Sequence, residues 1–199
     1  ISPSGKKVKV GHCGTLDPFA TGLLLLVTGT ECRNAMRYTK LDKTYEATII
    51  LGQTSTTGDP EGEIAPYLPE DTKDPITPPS RQQIDKVLQH FIGEIRQRPP
   101  IFSAIKINGQ RAYKLARDGK EVELPERTIT IHSLEMLEYQ YPRLVIRTRV
   151  SSGTYIRSLA VDIGTQLGTG AYCAALRRTA IADWSVVEAQ RLQDFGIVD

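Results

Sequence analysis

The densest run of residues suited to chemistry is Gly11-His12-Cys13-Gly14-Thr15-Leu16-Asp17-Pro18-Phe19-Ala20-Thr21-Gly22, where three glycines surround one carboxylate. Glycines let a backbone approach a ligand closely, and the apolar run at residues 23–27 reads as a buried strand. Such a loop holds Asp17 at the edge of a core. No Gly-Lys-Ser/Thr follows, so this is not a phosphate-cradling P-loop. It contains no serine for a strand-to-helix nucleophile elbow. Cys13 beside His12 is a poor thiol nucleophile, because adjacent residues seldom meet in hydrogen-bonding geometry. What remains is carboxylate chemistry against a ligand. Taken alone, Asp17 also reads as a plain turn residue ahead of Pro18.

The elements that must position this loop are visible in the periodicity. Residues 43–51 alternate Tyr45, Ala47, Ile49 and Leu51 with Thr44, Glu46 and Thr48, a half-buried strand that ends at Gly52. Ser80 with Gln83 forms a capping-box pattern, and Ile84, Val87, Leu88 and Phe91 follow at helical spacing. Asn108-Gly109 predicts a hairpin turn, and residues 112–117 a short helix ending at Gly119. Strands are expected over residues 127–131, 143–150 and 172–182, the second with Leu144, Ile146, Thr148 and Val150 on a core face and Arg143, Arg147 and Arg149 on a basic one. Ile156, Leu159, Ala160, Ile163 and Leu167 predict a helix closed by Gly168. Mixed elements without regular βαβ alternation argue for an α+β fold with a mainly antiparallel sheet.

The chain of 199 residues is expected to be one domain, since roughly 100–200 residues make a domain and about 70 % of the unfolded surface is then buried. With 40 % hydrophobic and 24 % charged residues, disordered, collagen-like and coiled-coil classes fall away. No apolar run approaches the roughly 18 residues of a membrane span, which predicts a soluble protein. Three scattered cysteines without CxxC spacing indicate neither a disulfide framework nor zinc, and imply a reducing, cytoplasmic compartment. A net charge of +2 does not by itself argue for a polyanionic partner, so the distribution matters more. Residues 59–79 form an acidic, Pro-rich stretch read as a long surface loop. Residues 96–120 are basic, with Phe102 and Tyr113 interleaved, and form either a nucleic-acid face or a solvated basic surface.

The glycine loop is similar to the catalytic motif of the TruB family of pseudouridine synthases, whose pattern is close to G-H-x-G-[AT]-L-D-P-x-A-x-G, and every specified position is met. The likeness continues through Asp42-Lys43-x-Tyr45 and Leu51-Gly52-Gln53, then Pro100-x-x-Ser103-Ala104-x-Lys106-x-x-Gly109-x-x-x-Tyr113-x-x-Ala116-Arg117-x-Gly119. It ends with Gly153-Thr154-Tyr155-Ile156-Arg157-Ser158-Leu159 and Leu176-Arg177-Arg178-Thr179. The resemblance implies the pseudouridine synthase fold, with flanking helices and a central RNA-binding cleft. It implies isomerisation of uridine to pseudouridine without a cofactor or metal, the base leaving C1′ and rejoining through C5. Asp17 resembles the essential carboxylate, suited to act as nucleophile or to stabilise charge at the sugar. Arg157 resembles the arginine that pairs with it. Tyr45 resembles the tyrosine that stacks on the flipped uracil, and Tyr155 and Leu176 the remaining pocket lining. His12 resembles the residue that fills the vacated base stack.

By the same resemblance, Lys106, Arg111, Lys114, Arg177 and Arg178 are expected to contact RNA phosphates without reading sequence. The residue 103–119 island resembles the bacterial tRNA branch, which modifies uridine 55 in the T-arm. A monomer acting on tRNA, with no membrane and no obligate protein partner, follows. Two departures stand out. The family's T-D-x-x-D run is Ser55-Thr56-Thr57-Gly58-Asp59, with only Asp59 kept. The whole of 1–199 reads as the catalytic domain, which opens at Ile1 without the family's upstream segment and closes without a C-terminal RNA-binding domain. The competing classes are a non-catalytic RNA-binding or RNA-refolding module on the same scaffold, and an aspartate-dependent hydrolase.

Overall fold

The computed structural model describes residues 5, 7–69, 76–100, 106–107, 110–111 and 124–196. The elements in chain order are β1 (Val10–His12), β2 (Thr21–Gly22), β3 (Leu26–Thr28), α1 (Ala35–Thr39), β4 (Lys43–Leu51), β5 (Gln53–Ser55), β6 (Ile64–Pro66), α2 (Arg81–His90), β7 (Gly93–Gln97), β8 (Lys106–Ile107), β9 (Gln110–Arg111), β10 (Arg127–Gln140), β11 (Arg143–Val150), α3 (Ile156–Gln166), β12 (Ala171–Ile181) and β13 (Trp184–Ser185). Among the described residues, a seven-stranded sheet runs β13-β12-β4-β11-β10-β7, with β2 alongside β12. Its pairs are antiparallel apart from β2 with β12. This is the α+β architecture expected from the lack of βαβ alternation. None of the described helices is long and apolar enough to cross a membrane.

β4 lies at the centre because its alternation serves two neighbours at once. Ala47 sits opposite Ile146 of β11 and Leu176 of β12, and Ile49 sits opposite Leu144 and Cys173. These residues, with Ile131, Val150 and Leu51, form one buried cluster. α3 packs its Leu159, Ala160 and Ile163 stripe against β12, and α2 lies on β10 through Ile84 and Leu88. The Ser80 capping box is formed, with Gln83 N–H donating to Ser80 Oγ at 3.3 Å and Ser80 N–H donating to Gln83 Oε1 at 2.7 Å.

Three expectations change in the fold. Residues 23–27 are not a buried core strand. Leu23 and Val27 are buried but Leu24 and Leu26 are exposed, because β3 pairs with β1 in a separate two-stranded ribbon that has one covered face. The strand expected at 127–131 continues to Gln140, since β10 has β11 to pair with along most of that length. The basic face of β11 is neutralised in place: Arg143 pairs with Glu138, Arg147 with Glu46 and Glu135, and Arg149 with Asp42. Strands β8 and β9 pair across Asn108-Gly109 as a hairpin requires. The turn itself, the helix expected at 112–117 and Lys114 lie outside the described residues.

Ile146→Ala, at a side chain with no exposed surface, should lower the unfolding free energy by about 2–5 kcal/mol. Ser80→Ala should cost about 1 kcal/mol. Urea denaturation of both beside the parent checks the order, and a larger loss at Ser80 would mean that the sheet centre is not the main source of stability.

Candidate active site

The loop between β1 and β2 is pinned at both ends. Cys13 N–H donates to the Leu25 carbonyl at 2.9 Å, Ala20 N–H closes a turn on the Asp17 carbonyl at 2.9 Å, and Leu23 N–H donates to the Arg178 carbonyl at 2.8 Å. Gly22, at φ +105°, lies against β12 so closely that a Cβ would collide with the Arg178 carbonyl. Only glycine satisfies both the backbone angle and the contact. Arg178 is the direct cross-strand partner of Tyr45 on β4, and β12 shifts register only beyond it, before Ala180.

Arg157 enters from the other side, in the first turn of α3. It is only 4 % exposed, and its guanidinium is gripped by two carboxylates. Nε and Nη2 donate to Asp17 Oδ2 and Oδ1, both at 3.1 Å, while Nη1 donates to Asp59 Oδ2 at 2.9 Å and to the Thr57 carbonyl at 3.2 Å. Asp59 is itself buried, accepting from Thr57 Oγ1 at 2.5 Å and from Glu61 N–H at 3.0 Å. A buried cation needs such compensation, and the fork geometry fixes the plane of the Asp17 carboxylate. Asp17 keeps 30 % of its side chain exposed, so the arrangement presents an oriented carboxylate to the cleft.

That cleft, of about 560 Å³, is lined by Asp17, Tyr45, Asp59, Tyr155, Arg157 and Arg178 among others. Its size suits one small ligand. Burial pushes the Tyr45 phenol up, with the Arg178 guanidinium opposing, so it stays a neutral aromatic surface near neutral pH. Tyr155 is held by its backbone: its N–H donates to Gln97 Oε1 at 2.8 Å, and its carbonyl accepts from Gln97 Nε2 at 3.0 Å. Among the described residues, no group of three or more His, Cys, Asp or Glu is placed to hold a metal ion.

The sequence-derived site residues are distributed unevenly. Asp17, Arg157, Tyr45 and Tyr155 share the cleft. His12 is exposed on β1, outside the cleft lining, and Arg177 is exposed on β12. Leu176 is not in the lining: it is buried with Ala47 in the core, because an inward position on β12 faces the sheet's own packing. Arg178 is a correction. It is 1 % exposed, with Nε donating to the Leu23 carbonyl at 2.7 Å and Nη2 to the Gly14 carbonyl at 3.0 Å, so it ties down the Asp17 loop and is too buried to contact a phosphate backbone. Lys106 and Arg111 lie on the paired strands β8 and β9. Asp59, read in the sequence as the start of an acidic surface loop, is instead buried as the second ligand of Arg157. Its signal was that it alone is kept in the altered Ser55-Thr56-Thr57-Gly58-Asp59 run, but the partner lies 98 residues away.

The geometry agrees with comparisons to known proteins. The model of the TruB family pseudouridylate synthase (N terminal domain) matches residues 4–156. The chain belongs to this family. TruB-family membership makes it a pseudouridine synthase, an isomerase. It is 44 % identical over 193 residues to tRNA pseudouridine synthase B of Parabacteroides distasonis, spanning 96 % of this chain and 80 % of that one. It is 47 % identical to tRNA pseudouridine synthase B of Francisella tularensis subsp. novicida, over 93 % of this chain and 60 % of that one. A crystal structure of a Cbf5–Nop10–Gar1 complex matches 87 % of the chain and 40 % of the solved one, at TM-score 0.61 and 32 % identity. An H/ACA ribonucleoprotein bound to a substrate RNA containing 2′-deoxyuridine matches at TM-score 0.59 and 27 % identity, over 89 % and 40 %.

Lys43 is a further TruB-motif residue whose place only the fold reveals. It is buried on the cleft wall, its Nζ donating to the Thr39 and Leu41 carbonyls at 2.5 and 2.6 Å. Burial, then the like charge of Arg178, pulls its amine from 10.5 down to about 8. The folded protein therefore holds this proton less tightly than the unfolded chain, and charged Lys43 opposes folding. That penalty is fully present below about pH 8 and fades as pH rises towards 10.5. The stability of the parent relative to Lys43→Met should be flat below pH 8 and climb between pH 8 and 10.5, as read by urea unfolding across pH. A decline over that window would contradict the burial of the amine.

Proposed function

We propose that this chain isomerises uridine to pseudouridine in the T-arm of tRNA, at uridine 55, with Asp17 as the reacting carboxylate and without a cofactor. The observation that carries this is the bidentate Arg157–Asp17 pair, which presents one oriented carboxylate to a cleft that Tyr45 and Tyr155 also line. The names of the curated relatives support tRNA as the substrate. A uridine inside a folded T-arm must be flipped out, at a cost of a few kcal/mol, before a cleft of this size can admit it. Tyr45 and Tyr155 then enclose the uracil while the N1–C1′ bond breaks, the base turns, C5 bonds to C1′, and the C5 proton is lost as N1 gains one. Asp17 acts at the sugar as nucleophile or charge stabiliser. Arg157 keeps it aimed, and Asp59 holds Arg157.

His12, exposed beside the loop, is the residue proposed to fill the base stack left by the flipped nucleotide. Arg177, Lys106, Arg111 and Lys114 are proposed to meet phosphates. Residues 1–199 are taken as one catalytic domain, working as a monomer in the cytoplasm without an obligate protein partner.

Asp17→Asn should abolish tritium release from a T-arm stem-loop labelled at C5 of the target uridine while leaving RNA affinity within a few-fold. Continued release would remove Asp17 from the chemistry, and binding with no release by the parent would favour the RNA-refolding reading. Lys114→Ala should weaken binding to many RNAs alike and shallow the salt dependence by about one unit. An unchanged slope would return Lys114 to a solvated surface.

A further inference from the structure

Arg127 opens β10 opposite Gln97 of β7, the residue that clamps the Tyr155 backbone. Its guanidinium lies over the Tyr155 ring, 4.6 Å from the centroid, on the wall of the cleft that holds Asp17. Its Nε and Nη2 are buried, and neither has a hydrogen-bond partner among the described residues. Among the described residues, the other three cations on this wall are all engaged. Arg157 holds two carboxylates, Arg178 two carbonyls and Lys43 two carbonyls. Glu126, the acid next to Arg127 in sequence, is taken by Arg96 and Arg98. A shielded cation edge with no acceptor opposes folding, and such a cost persists where a ligand supplies the missing partner.

The identity of the two idle atoms points to the ligand. Nε–H and Nη2–H form one edge of the guanidinium fork, two parallel donors matched to two oxygens of one anion. Arg157 uses the same two atoms to take both Asp17 oxygens. A uracil carbonyl offers only one oxygen to such an edge, whereas a phosphodiester offers two and a negative charge. We propose that Arg127 binds the phosphodiester adjoining the target uridine, turning in the plane of its stack on Tyr155 so that the idle edge meets the two non-bridging oxygens. The proposal rests on RNA as the substrate. It makes Tyr155 the point where base and backbone recognition join, because the ring that faces the base carries the cation that takes the phosphate.

The test pairs protein and RNA changes. Native chain, Arg127→Gln and Arg127→Lys are titrated with T-arm stem-loops in which the phosphate 5′ or 3′ of the target uridine is an uncharged methylphosphonate, at several salt concentrations. The native chain should lose about tenfold in affinity at one of the two positions. Arg127→Gln should lose about tenfold with ordinary RNA, be indifferent to that methylphosphonate, and show a salt slope shallower by about one. Arg127→Lys should keep the slope but lose part of the affinity. The thermal midpoint of Arg127→Gln should hold or rise, since an unpaired buried cation is gone. Losses that simply add between protein and RNA changes, or native affinity and slope in Arg127→Gln, would overturn the proposal, as would a fallen midpoint with methylphosphonate sensitivity intact. Tritium release by the native chain, read in the same samples, separates the two claims. Coupled binding without release sinks the isomerase reading alone, and release without coupling sinks only this one.

Discussion

A guanidinium with 4 % of its surface exposed cannot stand in a protein interior without counter-charge, and the site is organised around meeting that need at Arg157. One carboxylate comes from the loop before β2 and the other from the turn after β5, which lie 140 and 98 residues away along the chain. Removing either would leave part of a buried cation unpaired, so the three segments are bound to one geometry. The three-residue arrangement also divides the labour. Asp59 is buried and fully hydrogen-bonded, while Asp17 shares the same cation yet keeps an open side toward the cleft.

The sheet makes that convergence possible. β4 is central because it pairs along its whole length with β11 on one side and β12 on the other. Tyr45, the third residue of β4, is thereby set between Thr148 and Arg178. The outer edge of β12 takes β2, which anchors the Asp17 loop, and the Arg178 side chain braces the same loop through the Leu23 and Gly14 carbonyls. Core packing of α3 against β12 brings Arg157 to the opposite wall. Apolar burial sets the frame to which polar groups on its rim are fastened, and the rim residues that look alike in sequence serve different ends there.

Charge shows this most clearly. Arg143, Arg147 and Arg149 read as a basic face, yet each finds a carboxylate on β10, on β4 or just ahead of β4, and their field is largely cancelled. Arg177 and Arg178 are neighbours in sequence, but the two-residue period of a strand sends one outward and the other into the interior. Lys43 and Arg127 carry no local mark of their positions, since one is buried by the turn after α1 and the other stacked on a ring 28 positions later.

Periodicity and capping are local properties, and they were enough to recover β4, α2, β11, α3 and β12 within a residue or two, because each buries one face of a regular element. The motif around Asp17 and the Gly153–Leu159 run identified the ion pair at the centre of the site. The sequence by itself thus determined the class of fold, the family and the two charged residues that face each other. Which acid completes the grip on Arg157 and which arginine braces the loop were decided only by tertiary structure. Those assignments depend on the partner found across the fold, and desolvation together with hydrogen-bond satisfaction, which no local pattern encodes, selects that partner.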